Sequence, residues 1–284
     1  MNKFSSYLFS LLLSWALFSG SCAAQNIRCT YFFIRNSHDG YYGKDMDMQM
    51  DYFQGQSTFY SENSFVKDSL SSIAYDKQGY IKDKDAYQQL VRLPRTTRDI
   101  CHADYLNGKF MLGYQEGTIA FTGTGDLTMP EWQITEEKKV FLNYSCQKAF
   151  ADYLGRHWTI WFTPDIPCIA GPWLLWGAPG LIILAEDEKK EIQFRLNYLE
   201  PLHNNNRATS FLASHENSRQ KRKHFKYGIK ECERLHTKFM SDAAFFDEVS
   251  GSRMTGATDA KGNPIQLDWS SYMPIIPNDY WKTH

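Results

Sequence analysis

The chain has 284 residues, 43% of them apolar and 22% charged, which is enough to bury a full hydrophobic core and unlike a disordered composition. Its 31 basic and 32 acidic residues give a formal charge of −1, which excludes a broad basic field for nucleic acid or for an anionic membrane surface. Aromatic residues make up 15% of the chain, an excess that favours strand packing over a helical bundle.

In chain order, the first segment reads as an export signal. Lys3 supplies the positive end, residues 7–18 the apolar core and SGSCAA the small-residue cleavage stretch, with the simplest cut after Ala24. That run is too short to span a bilayer, and no later segment reaches about 20 uninterrupted apolar residues, so no membrane span is expected. The expected location is the periplasm, the outer membrane or the outside of the cell. Cys22 opens an alternative, a lipid anchor, although Ser19 stands three residues before it where lipoprotein processing favours Leu. Export also bears on Cys29, Cys101, Cys146, Cys168 and Cys232. Thiols in an oxidising compartment tend to pair, five is an odd number, and spacing assigns no partners. None lies in a C-x-x-C, so no redox motif or zinc ribbon is indicated.

Period-2 alternation then predicts strands. Ile27, Cys29, Tyr31 and Phe33 share one face, and Met46, Met48, Met50 and Tyr52 alternate with Asp47, Gln49 and Asp51 as a half-buried strand. Gln54, Gly55 and Gln56 offer a hairpin turn before STFY. FVKDSLSSIAYD and DKDAYQQLVRL read as short helices, the second closed by Pro94. Phe110, Leu112 and Tyr114 mark the next strand. KKVFLNYSCQKAFADY and HWTIWFT form a hairpin about Leu154, Gly155 and Arg156, with Trp158, Ile160 and Phe162 on one face, and this hairpin is expected at the centre of the sheet. Pro164 and Pro167 stop the strand, Gly171-Pro172 turns the chain, and Pro179-Gly180 suits a type II turn. Residues 181–184 form an apolar strand buried on both faces, after which Glu186, Asp187 and Glu188 return the chain to water. EIQFRLNYLE is a strand, PLHNNNRATS an exposed loop, and residues 229–246 a helix stopped by Gly251. The basic run 219–223 reads as a solvated face, and Gly262-Asn263 as a turn between extended arms. The chain is therefore expected to be a single β-rich α+β domain over 25–284, a curved antiparallel sheet with a few helices packed on one face.

Residues 144–188 resemble the signature region of the GLPGLI family, exported proteins of the phylum Bacteroidota. The resemblance rests on Cys146, Lys148, Gly155, Arg156, Trp161, Gly171-Pro172-Trp173, and Gly177 followed by Pro179, Gly180, Leu181 and Ile182, with Ala178 where the family has Leu. It implies an exported bacterial protein and no established activity.

Alternating Met46, Met48 and Met50 present soft thioethers of the kind that hold Cu(I), against the plainer reading of a core face. Cys232 and His236, one helical turn apart, offer two zinc ligands with His224 as a distant third. His157 with Asp152 across the turn suggests an acid–base pair, without a G-x-S-x-G elbow to supply a nucleophile. Arg156 could grip a carboxylate or phosphate, or stabilise its turn. Glu186, Asp187 and Glu188 lack the spacing of a calcium loop. No cofactor is expected. The expected function is a non-enzymatic binding, carrier or accessory protein of the cell envelope, acting on a small apolar or peptide ligand or on an envelope protein partner; the alternatives are an exported hydrolase and a copper-binding protein.

Overall fold

The structure, a computed structural model, describes residues 26–35, 46–76, 78–93, 97–116, 119–217, 223–251, 257–258, 264–265 and 272–283. The expected signal with Cys22, Pro94, most of the basic run 219–223 and the Gly262-Asn263 turn lie outside those residues.

Twelve strands form one open sheet: β1 (Ile27–Arg35), β2 (Met46–Phe53), β3 (Gln56–Tyr60), β4 (Ile100–Asp104), β5 (Lys109–Glu116), β6 (Ile119–Asp126), β7 (Gln133–Phe141), β8 (Tyr144–Tyr153), β9 (Arg156–Thr163), β10 (Leu181–Asp187), β11 (Ile192–Pro201) and β12 (Lys223–Gly228). Their order is β12-β6-β5-β4-β3-β2-β1-β11-β10-β9-β8-β7, antiparallel throughout except for β12, which runs parallel to β6. The described residues also form helices α1 (Glu62–Ala74), α2 (Lys84–Arg92), α3 (Asn206–Asn217), α4 (Ile229–Ser241), α5 (Ala243–Ser250) and α6 (Tyr280–Thr283) and a short β13–β14 ribbon, Ala257–Thr258 against Pro264–Ile265. No described helix is long and apolar enough to cross a membrane.

Two-residue hairpin turns set much of this register. Gln54-Gly55, Leu142-Asn143 and Leu154-Gly155 each hold both central residues at positive φ, the primed geometry whose twist matches that of the flanking strands. The turn at 142–143 divides what the sequence suggested was one strand into β7 and β8. The β8–β9 hairpin lies beside the β7 edge rather than at the centre, which belongs to β1 and β2.

Pairing parity separates the two faces of the sheet. The inner face carries Cys29, Tyr31 and Phe33 of β1 opposite Met50, Met48 and Met46 of β2, then Phe59, Cys101 and Leu112 in successive strands. The sheet is strongly curved. Phe59 and Phe194 belong to strands three steps apart, about 14 Å in a flat sheet, yet their ring centroids are 5.8 Å apart. Bending gives the inner face a concave hollow that must be filled at close-packed density.

Two parts of the chain fill it. Residues 164–180 cross the hollow from the end of β9, where Trp173 meets Trp158 and Trp176 meets Tyr105, and just beyond them, in β10, the Ile182 carbonyl accepts from the Tyr31 hydroxyl at 2.6 Å. On the other side α4 sits over β6, where Gly123 leaves room for Cys232 and Ile229. Helix α3 lies on the outer face, since His215 packs against Gly113, whose partner Thr122 points away from its neighbour Gly123.

Four further local expectations are corrected. Gln49 and Asp51 are buried, because the outer face of β2 is covered too and Asp51 receives Arg28 bidentately at 2.6 and 2.7 Å. The segment after Pro201 turns helical by Asn206, where Phe211 and Ala208 pack on Tyr60 and Ile100. The expected helix 229–246 breaks at Asp242, whose carboxylate caps α5 through the Phe245 amide. Finally, the five cysteines are all free and buried, so the pairing expected of an exported chain is not what this fold builds. They act as small apolar fillers, and burial pushes the Cys168 thiol up to about 12.

Candidate functional site

The β8–β9 turn gathers most of the polar candidates at one rim of the sheet. Asp152 and His157 are cross-strand partners, and His157 Nδ1 lies 2.7 Å from Asp152 Oδ1. The pair faces solvent, with side chains 41% exposed for the histidine and 88% for the aspartate. Two open depressions flank the turn, of about 640 and 390 Å³, and both are lined by Gly155, Arg156 and His157. The larger also takes in Thr128, Glu131 and Tyr280, and the smaller Asp187, Glu191 and the tail residues 272–274.

Arg156 points inward, one residue away from His157 and so to the opposite face of β9. Its Nη1 donates to Asp187 at 2.6 Å and to Glu191 at 2.8 Å, its Nε to the Ile275 carbonyl at 2.6 Å and its Nη2 to the Pro274 carbonyl at 3.0 Å. The guanidinium is fully engaged by the chain's own acceptors and clamps the C-terminal tail onto the sheet. Asp187 is buried here and also accepts from the Ile192 amide. It is therefore a structural anion rather than part of the acidic return to water expected from the sequence. Glu186 and Glu188 alone keep that role, half-buried and exposed respectively.

Of the remaining signature residues, Gly155 lets Tyr280 and Pro277 pack against the turn, Cys146 is buried, Lys148 pairs with Glu137 at 3.1 Å, and Trp161 stacks under Lys139 and beside Phe141. Gly180 does not occupy a type II turn. Its amide donates to the Ala178 carbonyl at 2.8 Å, a three-residue turn about Pro179, and its φ is 150°. Gly171, with Pro172 and Trp173, lies in the buried crossing segment.

The metal candidates are dispersed. Met48 and Met50 are inside the core and Met46 at its margin, so a soft cation would have to enter the packed interior. Cys232 faces the inner side of the sheet, whereas His224 bonds Thr122 on the outer side at 2.7 Å, so the zinc trio does not assemble. Among the described residues no group of three or more His, Cys, Asp or Glu is placed to hold a metal ion.

One cluster had no signal in the sequence, because its members come from five separate segments. His236 stacks on Tyr114 with centroids 4.0 Å apart and lies near Tyr272; the Tyr114 hydroxyl donates to Glu233 at 2.5 Å; Arg35 bonds the Met273 carbonyl and stands over the Tyr272 ring. Glu116, half-buried, approaches His236 Nε2 to 3.7 Å. Burial raises the Glu233 carboxyl above its ordinary value, and burial with Glu116 nearby raises Asp99. The sign follows. A carboxyl whose folded value is raised binds more protons in the native state, so stability falls as pH rises from the unfolded value through the folded one. Glu233→Gln should flatten that decline and raise the neutral-pH Tm by about 2 to 4 °C for each kcal/mol recovered, read from thermal melts across pH; an unchanged pH profile would contradict it.

No family model and no curated protein matches the chain. Two solved structures of PNGF-II, in the P21 and C2 space groups, are similar at 11% and 12% identity with TM-scores of 0.45 and 0.46. They cover 73% and 74% of this chain, which spans 32% of theirs.

Proposed function

We propose that this chain is an exported, non-enzymatic accessory protein of the bacterial cell envelope that engages a peptide or protein partner at the β8–β9 rim. The observation that supports this reading is the role of its signature segment. Residues 164–180 fill one part of the concave face, and Arg156 is saturated by Asp187, Glu191 and two tail carbonyls. These residues build a rigid scaffold. The hollow in which a carrier would hold apolar cargo is occupied by the chain itself, which favours an accessory role over transport. The rim offers the exposed carboxylates Glu131 and Asp152 beside the apolar surfaces of Met129 and Tyr280, a combination that suits a basic or amphipathic peptide segment.

A specific observation keeps a second reading, an exported hydrolase: the 2.7 Å contact between His157 and Asp152 has the geometry of a general base and its orienting carboxylate. Native mass spectrometry of the protein purified from its own envelope separates the two. A stoichiometric polypeptide partner lost in Asp152→Asn supports the accessory role. An empty monomer whose ester or amide hydrolysis disappears in His157→Ala contradicts it.

A further inference from the structure

Strand β7 ends the sheet on one side, and among the described strands none pairs with its outer edge. An open edge offers a row of N–H and C=O groups that another strand can extend. The turn at Leu142-Asn143 fixes which groups these are. Phe141 and Tyr144 flank that two-residue turn and close the ladder, so Phe141 and Lys139 bond towards β8 while Lys138 and Val140 turn their N–H and C=O outward. The ladder is interrupted between Ile134 and Lys138, and side chains take up the inward groups there. The Glu137 amide donates to Thr135 Oγ1 at 3.2 Å, and the Thr135 carbonyl accepts from Gln147 Nε2 at 2.7 Å. Ile134, Glu136, Lys138 and Val140 therefore share the outward parity.

The side chains of this edge are uncovered as well. Residues 136–140 are all exposed, and Val140 at 72% and Ile134 at 49% place an apolar residue at each end of the run Glu136-Glu137-Lys138-Lys139. Lysine on an edge ordinarily wards off strand addition. Here the order of the charges, two acidic and then two basic, complements its own reverse. A parallel copy would set like charge against like. An antiparallel copy turned about Glu137 sets Glu136 against the partner's Lys138 and Ile134 against the partner's Val140, each of them twice by symmetry. The two Glu137 carboxylates that meet on the axis are already matched within their own copies, by Lys148 at 3.1 Å and Lys139 at 3.4 Å. The interruption beside Glu137 kinks the edge against a straight foreign strand, whereas a two-fold axis brings the same kink to the same place in both copies.

We propose that β7 is a dimerisation edge, at which a second copy of this chain pairs antiparallel about a two-fold axis through Glu137 and joins the two sheets into one. A single strand pair lies at the small end of interface sizes, so the association is reversible and concentration-dependent. It does not depend on the partner proposed for the β8–β9 rim.

Sedimentation equilibrium of the purified full-length chain tests this through a charge swap. Glu136→Lys alone and Lys138→Glu alone each turn two opposite-charge pairs into like-charge pairs, and each should weaken dimerisation about tenfold. Glu136→Lys combined with Lys138→Glu rebuilds both pairs and should return the affinity to that of the parent. Both side chains are exposed, so all three variants should melt with the parent and lost association cannot be assigned to unfolding. Hydrogen exchange reads the register: the Lys138 and Val140 amides should slow as concentration rises, and the Lys139 amide should not change. The proposal is overturned by a monomer at the highest soluble concentration, by single reversals that leave dimerisation unchanged, or by a double variant no tighter than the singles. A dimer whose Lys138 and Val140 amides exchange as fast as in the monomer overturns it too.

Discussion

Gly180→Val is expected to lower the melting temperature by roughly 8 to 15 °C, or to prevent accumulation of folded protein altogether. The backbone there has a φ of 150°, which L side chains rarely adopt, and a Cβ would stand 2.0 Å from the carbonyl oxygen of Thr163 and 2.9 Å from the Cα of Pro164. Those neighbours are main chain at the end of β9, so no side chain can swing aside. Strain of about 1 to 3 kcal/mol from the conformation adds to an overpacking term of similar size, against a total stability of about 5 to 15 kcal/mol. Gly228→Ala supplies the control, because nothing lies within 4 Å of its added carbon and its φ is −61°. Thermal melts of the two variants should differ sharply; equal melting temperatures would contradict the packing described for residues 177–181.

Arg156→Met should destabilise by about 3 to 5 kcal/mol, the range seen when one partner of a buried ion pair is removed. Asp187 would be left buried with only the Ile192 amide, Glu191 would lose its cation, and the Pro274 and Ile275 carbonyls would lose the donors that hold the tail. The loss is expected to be regional as well as global: residues 272–283 should become sensitive to limited proteolysis before the sheet does. Arg156→Lys should recover only part, since an ammonium cannot present the planar fork that meets four acceptors at once. Adding Asp187→Asn to Arg156→Met should restore some stability by neutralising the stranded charge, and a fully additive double variant would show that the pair is not coupled.

How much of this was legible depended on whether the determinants were local. Alternation in β1 announced its inner face because Ile27, Cys29, Tyr31 and Phe33 all point to one core. Gly55 and Gly155 announced their turns for the same local reason, the need for positive φ. Asp51 and Asp187 misled because a carboxylate's preference for water is overridden when an arginine from another strand meets it, and nothing near either residue tells of Arg28 or Arg156. Helix α3 was hidden by NNN, whose turn preference applies only to residues 204–206 before the apolar face of Phe211 takes over. Of the candidate site, the Asp152–His157 pair was readable from a hairpin register alone. The Glu233, His236 and Tyr114 cluster arises from long-range packing and leaves no pattern in sequence.

The stretch 171–184 of the signature region is interior scaffold. Native-state hydrogen exchange of the amides from residue 175 to 184 tests it most directly, since Gly177 donates to the Ile169 carbonyl at 2.8 Å and Leu181 to that of Ile166 at 3.0 Å. This fold requires those amides to exchange only with global unfolding, as slowly as the centre of β1. Exchange at loop rates, with β1 still protected, would place the segment at an open surface and contradict the account.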